Sequence, residues 1–408
     1  MNGATVAQDP HGEPQTSTAS QPASERRTTP VELLWDLVFV FAVTQVTTLL
    51  AHRTNWARLG EAMLVLALVW WAWSAFVWAA NAHEEQSQTL RACLLAGTVL
   101  ILVVGLSVPN AFGRSSLLFA STYAAVRLLH LGVYVDASRR GQAGRTAILS
   151  FAVTVLIGLA LLLVGAVTHG WARVVLWLLA LAIDYAGPAW LTRERLRGLQ
   201  QVSVAHFAER YGGFVIICLG ESIVAVGVGV GSIRAHLTPG LVIGATLPLV
   251  TVVAMWWTYF DRTADRAQER LRVHEDPVLA AADAYSYMHL IIVAGIIIFA
   301  GGVKLVVQHP ASAPMPSAGR LAMCGGAAVY LIGLAAFRLR ILGEHSYGRL
   351  LVALALVVLY ATGAGLPAWA IGAAIAALMT ALCVSEVMLP PDRDRAESVP
   401  ARDGAESV

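Results

Sequence analysis

The sequence has little charge for its length. Only 13% of its 408 residues are Asp, Glu, Lys or Arg, whereas 57% are hydrophobic and the mean hydropathy is +0.66. Soluble domains carry about 25% charged residues, so this composition excludes a soluble domain with a large core and predicts an integral membrane protein. The formal net charge of +2 comes from basic residues scattered between apolar runs, so it does not indicate nucleic-acid binding.

The sequence also lacks the motifs of several enzyme and metal-site classes. Its four cysteines are isolated within apolar runs, which implies neither a disulfide framework nor a metal site. It has no nucleotide-binding loop, nucleophile elbow or HExxH motif, and the glycines near residue 229 lie in an apolar run rather than after a strand. We therefore predict no catalytic residue, no bound metal and no cofactor.

Both ends of the chain lack apolar runs. Residues 1–30 are rich in Ser, Thr, Gln and Pro, which predicts a disordered N-tail without a secretory signal. Residues 390–408 are polar and acidic, and they are predicted to form a disordered C-tail.

Between the tails lie apolar segments long enough to cross a bilayer as helices. We place twelve of them, at 33–51, 59–80, 91–108, 115–135, 146–168, 171–190, 207–230, 237–260, 284–307, 318–338, 349–363 and 366–389. The sequence thus predicts an all-α fold, a polytopic membrane helix bundle of about 12 transmembrane helices.

Basic residues are unevenly distributed over the connections between these spans. The two tails and the connections on their side hold 20 Arg and Lys residues, whereas the opposite side holds 7. Cytoplasmic connections carry the excess of basic residues, so we predict a multi-pass plasma-membrane protein with both termini in the cytoplasm.

Short motifs recur in the same order in the two halves of the chain. Pairs of tryptophans at 70–71 and 256–257 are one example. We predict two six-helix pseudo-repeats of the same orientation, 31–190 and 207–389, joined by a cytoplasmic linker at 191–206. In membrane proteins built from such repeats, substrate and ion sites tend to lie near the midplane at the repeat interface.

The seventh span is apolar but contains Glu209, Arg210 and Glu221. A carboxylate at mid-membrane depth costs about 2.5–3.5 kcal/mol, so Glu221 is predicted to be protonated, paired or in contact with water. The span also has a glycine every seven residues, at Gly213, Gly220 and Gly227. This stripe predicts a face on which a neighbouring helix approaches closely.

The first span also carries acidic residues. Glu32 and Asp36 are four residues apart and therefore share one face of the helix. Glu32 is either solvated at the membrane interface or directed inwards, whereas Asp36, one turn deeper, is predicted to have an interior role. Thr44, Gln45, Thr47 and Thr48 are predicted to form hydrogen bonds between helices.

Arg127 lies in the middle of the fourth span and needs an acidic partner, for which Glu221 and Asp36 are the candidates. Such a pair is either a structural lock between two helices or a charge used in gating or substrate binding. Asp184 and His206 are predicted to be interfacial, and His206 is close enough to Arg210 in sequence to titrate with it.

Three motifs resemble signatures of the bacterial low temperature requirement A family. They are Glu32-Leu33 with Asp36-Leu37-Val38-Phe39-Val40-Phe41-Ala42 and Thr44-Gln45, then His206, Glu209-Arg210, Gly212, Phe214 and Leu219-Gly220-Glu221-Ser222-Ile223, and finally Trp256-Trp257 with Tyr259-Phe260-Asp261. The chain departs from the first signature at Leu34-Trp35, where two phenylalanines are usual. The resemblance implies a multi-pass protein of the bacterial cytoplasmic membrane, and it assigns no activity.

Two classes of function remain. The intramembrane acids and the repeat favour a transporter or channel for an ion, a proton or a small solute. Its predicted pathway residues are Glu32, Asp36, Arg127, Glu209, Arg210, Glu221 and Ser222. The alternative is a non-transporting protein, either a scaffold or membrane-adaptation factor, or an intramembrane enzyme acting on lipid. The predicted partners are the lipid bilayer and an ion or small solute, without nucleic acid.

Overall fold

The chain is a bundle of membrane helices. A computed structural model describes residues 28–52, 56–82, 88–139, 145–186, 203–232, 238–307 and 312–388. Within these ranges there is no named strand, only an isolated bridge between Pro314 and Pro367. Residues 1–27 and 389–408 of the predicted tails, and residues 191–202 of the predicted linker, lie outside the described ranges.

The described helices follow one another with short connections. They are α1 Pro30–His52, α2 Trp56–Ala82, α3 Gln88–Ser107, α4 Ser116–Arg139, α5 Arg145–Val167, α6 Trp171–Ala186, α7 Val204–Ser232, α8 Pro239–Tyr259, α9 Asp265–Arg272, α10 Pro277–Ala281, α11 His289–Val307, α12 Ser317–Leu342, α13 Tyr347–Thr362 and α14 Ala368–Met388. A short 3₁₀ turn follows α3, and wider π-helical segments at Phe260–Ala264 and Ala282–Met288 link α8 to α9 and α10 to α11.

Each of the twelve predicted spans coincides with one of these helices, namely α1 to α8 and α11 to α14. Nine helices in the described ranges are long and apolar enough to cross a membrane, and Phe151–Val167 and Tyr347–Thr362 are shorter apolar helices. The predicted all-α, polytopic membrane bundle is confirmed.

Local sequence explains where several helices begin and end. Pro239 opens α8, where its missing N–H is not needed, and the Thr238 hydroxyl accepts a hydrogen bond from the Leu241 N–H at 3.3 Å. α12 ends at Leu342, and the next residue, Gly343, has a φ of 70°, a left-handed conformation that glycine adopts without strain. Its N–H donates to the Leu339 carbonyl, which caps the last turn.

The same neighbouring pairs of helices occur in both halves of the bundle. In the first half α1 packs on α2 and α3, α3 on α4, α4 on α5, α5 on α6, and α6 on α2. In the second half α7 packs on α8 and α11, α11 on α12, α12 on α13, α13 on α14, and α14 on α8. The two halves meet where α1 packs on α7 and α11, so α1 is a central helix of the molecule.

Glycines do bring two helices together, but in a different place from the predicted stripe. α11 and α12 form the most extensive pair among the described helices. A Cβ added at Gly326 would lie 2.8 Å from the Phe299 Cα, and one at Gly295 would lie 2.6 Å from the Tyr330 Cα. Real Cβ atoms do not approach a backbone this closely, so these glycines permit the contact.

The predicted close approach at Gly213, Gly220 and Gly227 is wrong. A Cβ at any of these three positions would meet nothing within 4 Å. Ile216 and Ile223 on the same helix are 50% and 52% exposed, which places them on the outward side of the bundle. This side of α7 presents apolar side chains and bare backbone outwards, as a lipid-facing surface does.

Candidate functional site

α1 and α7 lie side by side and run in the same direction. Three of the side-chain contacts between them run from His206 to Glu32, from Arg210 to Asp36 and from Glu221 to Thr47. In every case the partners are 174 residues apart. An unchanging separation requires parallel helices, since antiparallel helices would pair residues at a changing separation. We name the end of the bundle where α1 begins the proximal end, and the end where α1 finishes the distal end.

The first polar site lies near the proximal end and is centred on Arg210. Its guanidinium donates to both carboxylate oxygens of Asp36, at 2.6 and 3.1 Å, and lies 3.1 Å from Glu32. The Trp73 indole N–H also donates to Asp36, at 2.7 Å. These three ionic side chains are at most 2% exposed. Two carboxylates therefore share one guanidinium in a buried setting, and the fork of Arg210 fits Asp36 bidentately.

Glu32 has two further roles in this site. It closes a capping box at the start of α1, because its carboxylate accepts from the Thr29 N–H at 2.8 Å while its own N–H donates to the Thr29 hydroxyl at 3.4 Å. It also lies 3.3 Å from the Nε2 atom of His206, whose Nδ1 atom is 3.4 Å from Asn81. His206 is fully buried among the helices, and its position at the depth of the membrane interface stays a prediction. We call Glu32, Asp36, His206 and Arg210 the Arg210 cluster.

The second polar site lies further along the same helix pair and is centred on Glu221. Thr44 donates to one carboxylate oxygen at 2.5 Å and Thr47 donates to the other at 2.8 Å. Glu221 is 3% exposed, and no Lys, Arg or His of the described chain forms a salt bridge with it. Ser222, the next residue along the chain, is buried, and its hydroxyl has no hydrogen-bond partner within the described ranges. We call Glu221, Thr44 and Thr47 the Glu221 site.

Thr48 extends this line of hydroxyl groups towards the distal end. Its hydroxyl accepts a hydrogen bond from the Lys304 ammonium of α11 at 3.0 Å. The predicted hydrogen bonds from Thr44, Thr47 and Thr48 to other helices are therefore present. α1 thus contacts an acid on α7 and a base on α11 through successive turns.

An apolar segment separates the Arg210 cluster from the Glu221 site. Between them, α1 contributes Phe39 and Val43, and α7 contributes Phe214 and Cys218, all at most 2% exposed. Eight residues separate Asp36 from Thr44 on α1, which corresponds to about 12 Å along a helix. The helix pair therefore carries two polar sites at different depths, with a dry segment between them.

Arg127 does not belong to either site. It is fully buried on α4 and its guanidinium donates to Asp184 of α6 at 2.6 Å. Neither Glu221 nor Asp36 is its partner, so both candidates from the sequence are wrong. Asp184 is 7% exposed, so neighbouring helices enclose it, and its depth near the membrane interface stays a prediction.

Glu209 is also separate from the two sites. Its side chain is exposed, and it accepts a hydrogen bond from the Thr28 N–H at 3.4 Å. Successive residues of a helix point about 100° apart, so Glu209 faces outwards while Arg210 faces α1. Of the seven predicted pathway residues, the structure brings together Glu32, Asp36 and Arg210 in one site and places Glu221 in the other.

Comparison with known proteins decides the family. The family model described as "Bacterial low temperature requirement A protein (LtrA)" matches residues 27–384, which is most of the chain. The chain belongs to this family. It is also 31% identical to "Uncharacterized protein RA0937" of Rhizobium meliloti (strain 1021) over 309 residues, which cover 74% of this chain and 75% of that protein. No solved structure matches the chain.

Two of the three motifs that resemble low temperature requirement A signatures meet at the α1–α7 interface. The first supplies Glu32, Asp36 and Thr44, and the second supplies Arg210 and Glu221. The third lies at the end of α8, where Tyr259 bonds His289 at 2.7 Å rather than a member of either site. The family resemblance assigns no chemistry to these residues, but their contacts in this protein make two sites.

Some residues that complete the sites are not among the seven predicted pathway residues. Thr47 lies three residues after Thr44, and this spacing is the signal that both face the same neighbour. His206 lies four residues before Arg210, which likewise puts both on one face. Trp73 offers no such signal, because its contact with Asp36 depends on how α2 packs against α1.

The two sites do not have the composition of a metal centre. Across the described ranges, no group of three or more His, Cys, Asp or Glu side chains could hold a metal ion. In the Arg210 cluster, the cation between the carboxylates is a guanidinium. The carboxylate and hydroxyl oxygens of the Glu221 site are groups that can bind a proton or a monovalent cation.

Proposed function

We propose that this protein is a transporter or channel that moves protons or another monovalent cation across the membrane, with Glu221 as the ion-binding carboxylate. The Arg210 cluster controls access to Glu221 from the proximal end.

The Glu221 site is the observation that carries the proposal. An ionised carboxylate buried in a membrane needs a cationic partner, and Glu221 has two hydroxyl donors but no salt bridge within the described part of the chain. It is therefore protonated or takes up a cation. Carboxylates that alternate between these states are the groups that mark proton relays and cation pathways in membrane proteins.

The position of the Glu221 site supports the same proposal. It lies between α1 and α7, the first helices of the two predicted repeats. The same helix pairs recur in both halves, which favours a duplicated architecture in which α1 and α7 are equivalent helices. Thr44 of α1 contacts Glu221 of α7, 177 residues later in the chain, where these two helices meet. Substrate sites in transporters built from repeats tend to lie at this interface.

The apolar segment between the two sites supports a gated path. Phe39 and Val43, which lie between Asp36 and Thr44 along α1, and Phe214 of α7 are buried apolar side chains. Apolar constrictions hold back ions when dry and admit them when hydrated, which is a known gating principle. Opening of the α1–α7 contact in this segment would join the two polar sites.

The contacts of His206 do not favour an enzyme. Its two ring nitrogens lie next to Glu32 and Asn81, so no serine or cysteine hydroxyl or thiol is paired with it as a nucleophile in the described structure. The two acids of the Arg210 cluster share the single guanidinium of Arg210 as their ion-pair partner rather than being left free for acid–base work.

Flux measurements on purified protein test the proposal. The protein is reconstituted into liposomes with an internal pH dye, and a potassium or sodium gradient is imposed with and without an ionophore. We expect proton or monovalent-cation flux above that of protein-free liposomes. Liposomes that contain folded protein but remain as tight as empty ones to protons, Na⁺ and K⁺ would refute transport and favour a scaffold.

A further inference from the structure

The distal end of the bundle has an unusual distribution of charge. The six connections at this end, residues 53–55, 108–115, 168–170, 233–238, 308–316 and 363–367, contain no Asp or Glu. They contain three arginines, at positions 53, 114 and 234. The nearest acid on a helix, Glu61, is paired with Arg58 at 2.8 Å. This end therefore offers cations without matching carboxylates.

An apolar cavity opens at the same end. Its volume is about 310 Å³, and it lies between the distal ends of α1, α2, α11, α12 and α13. Leu50, Trp56, Leu305 and Leu321 are among the residues that line it, with Tyr360 as one of its few polar residues. This volume and lining are typical of sites that take an apolar ligand and orient it through a few polar groups.

Two cations flank this cavity. Lys304 is on α11 between Gly301 and Leu305, both of which line the cavity. Its ammonium donates to the Thr48 hydroxyl at 3.0 Å. Arg320 is on α12, next in sequence to Leu321 of the cavity lining. Its Nε donates to the Tyr360 carbonyl at 3.0 Å, and its guanidinium carbon lies 5.4 Å from the Tyr360 ring centre.

Neither cation has an acidic partner. Arg320 is only 8% exposed, yet neither it nor Lys304 forms a salt bridge with a carboxylate in the residues that the structure describes. Buried or half-buried cations are normally paired. Two such cations beside one apolar cavity are complementary to an amphiphile with an apolar chain and an anionic head.

We propose that this cavity binds an anionic phospholipid of the surrounding membrane. One acyl chain occupies the apolar cavity, and the phosphate contacts Lys304 and Arg320. The acid-free distal end favours a lipid with net negative charge over a zwitterionic one, whose own cation would meet these arginines and lysine. This binding site is independent of the ion pathway proposed for Glu221, and it requires no transport activity for its test.

Quenching of tryptophan fluorescence by brominated lipids tests the proposal, because Trp56 lines the cavity. The protein is reconstituted in phosphatidylcholine, and brominated phosphatidylglycerol or brominated phosphatidylcholine is added in increasing fractions. The signal of Trp56 is the difference between the wild type and Trp56→Phe. We expect this signal to be quenched at a lower fraction of the anionic lipid than of the zwitterionic lipid.

Variants locate the site. Lys304→Gln and Arg320→Gln should each weaken the preference for the anionic lipid about fivefold, since one basic residue near a membrane contributes about 1 kcal/mol. Arg114→Gln, which removes an exposed cation from the same end, should leave the preference unchanged. Ala318→Phe fills the cavity and should remove the preference, whereas Ala364→Phe on the exposed surface of that end should retain it.

Each outcome decides the matter. Equal quenching by both lipids would overturn the proposal, as would a loss in Arg114→Gln equal to that in Lys304→Gln. Stronger quenching by a brominated free fatty acid than by phosphatidylglycerol would show that the ligand is a free carboxylate amphiphile instead. Melting temperatures without added anionic lipid show which variants fold. If Arg320→Gln does not fold, the result for Lys304→Gln, whose side chain is partly exposed in the wild type, decides the test.

Discussion

Thr44 on α1 donates a 2.5 Å hydrogen bond to Glu221 on α7, although 177 residues separate them in the chain. The same pair of helices carries Arg210 and Asp36, about two turns nearer the proximal end, where the charges are matched. The two sites therefore differ in kind. One is an ion-paired cluster that stabilises the bundle, and the other is a carboxylate that depends on hydroxyl groups.

The Arg210 cluster should respond unequally to loss of its members. Arg210→Gln leaves both Glu32 and Asp36 without their cation, and breaking a buried ion pair in this way costs about 3–5 kcal/mol. Asp36→Asn leaves Arg210 paired with Glu32, so it should cost less. Thermal unfolding in detergent measures both. Equal melting temperatures for the two variants would contradict the shared-guanidinium geometry.

The pair of Arg127 and Asp184 should behave as a structural lock. Asp184→Asn leaves the fully buried Arg127 without its carboxylate, so we expect a loss of about 3–5 kcal/mol in stability. Arg127→Met combined with Asp184→Leu removes both charges and should recover much of that loss. A double variant no more stable than Asp184→Asn in thermal unfolding would show that the pair is not a simple lock.

These two pairs show what the sequence could and could not predict. Hydropathy and length located twelve helices, because lipid requires each span to be a long apolar helix, and nine helices in the described ranges are long and apolar enough to cross a membrane. The spacing of Glu32 and Asp36 predicted a shared face, and they do share Arg210. The partner of Arg127 was not predictable, because it depends on which helix packs against α4, and hydropathy does not contain that information.

The close helix contact predicted from the glycine stripe was wrong for the same reason. The spacing of Gly213, Gly220 and Gly227 does place them on one side of α7, but spacing does not say whether that side meets a helix or lipid. The close contact instead occurs between α11 and α12, around Gly295 and Gly326. Periodicity defines a face, whereas the neighbour of that face is set by packing over the whole bundle.

Alanine substitution distinguishes the two groups of glycines. Gly326→Ala places a Cβ 2.8 Å from the Phe299 Cα and should cost about 1–3 kcal/mol through overpacking. Gly220→Ala meets no atom within 4 Å, and it should be neutral or slightly stabilising because alanine favours helix over glycine. If thermal unfolding instead shows Gly220→Ala to be the more damaging change, the outward position of Gly220 is wrong.

The orientation of the bundle is a further prediction. The excess of basic residues on the side of the two tails predicts that both termini are cytoplasmic. The parallel course of α1 and α7 agrees with an even number of crossings between their starting points. Reporter fusions after residue 30 and after Leu389 should both give the cytoplasmic signal. Signals of opposite sign would require an odd number of spans.

Glu221 is the residue on which the proposed transport depends. Gln has nearly the same shape, its amide oxygen accepts a hydrogen bond from one of the two threonines, and its amide NH2 donates to the hydroxyl oxygen of the other. Gln neither carries a transferable proton nor neutralises a cation. Glu221→Gln should therefore fold with a melting temperature close to that of the wild type and lose ion flux. The exposed Glu209 on the same helix offers the matched control, since Glu209→Gln makes the same change outside the site.

The most direct measurement compares proton and monovalent-cation flux in proteoliposomes that contain equal amounts of wild type, Glu209→Gln and Glu221→Gln. We predict that the wild type and Glu209→Gln conduct alike, and that folded Glu221→Gln falls to the level of protein-free liposomes. Flux through folded Glu221→Gln at the wild-type rate would contradict the role of Glu221 as the ion-binding carboxylate.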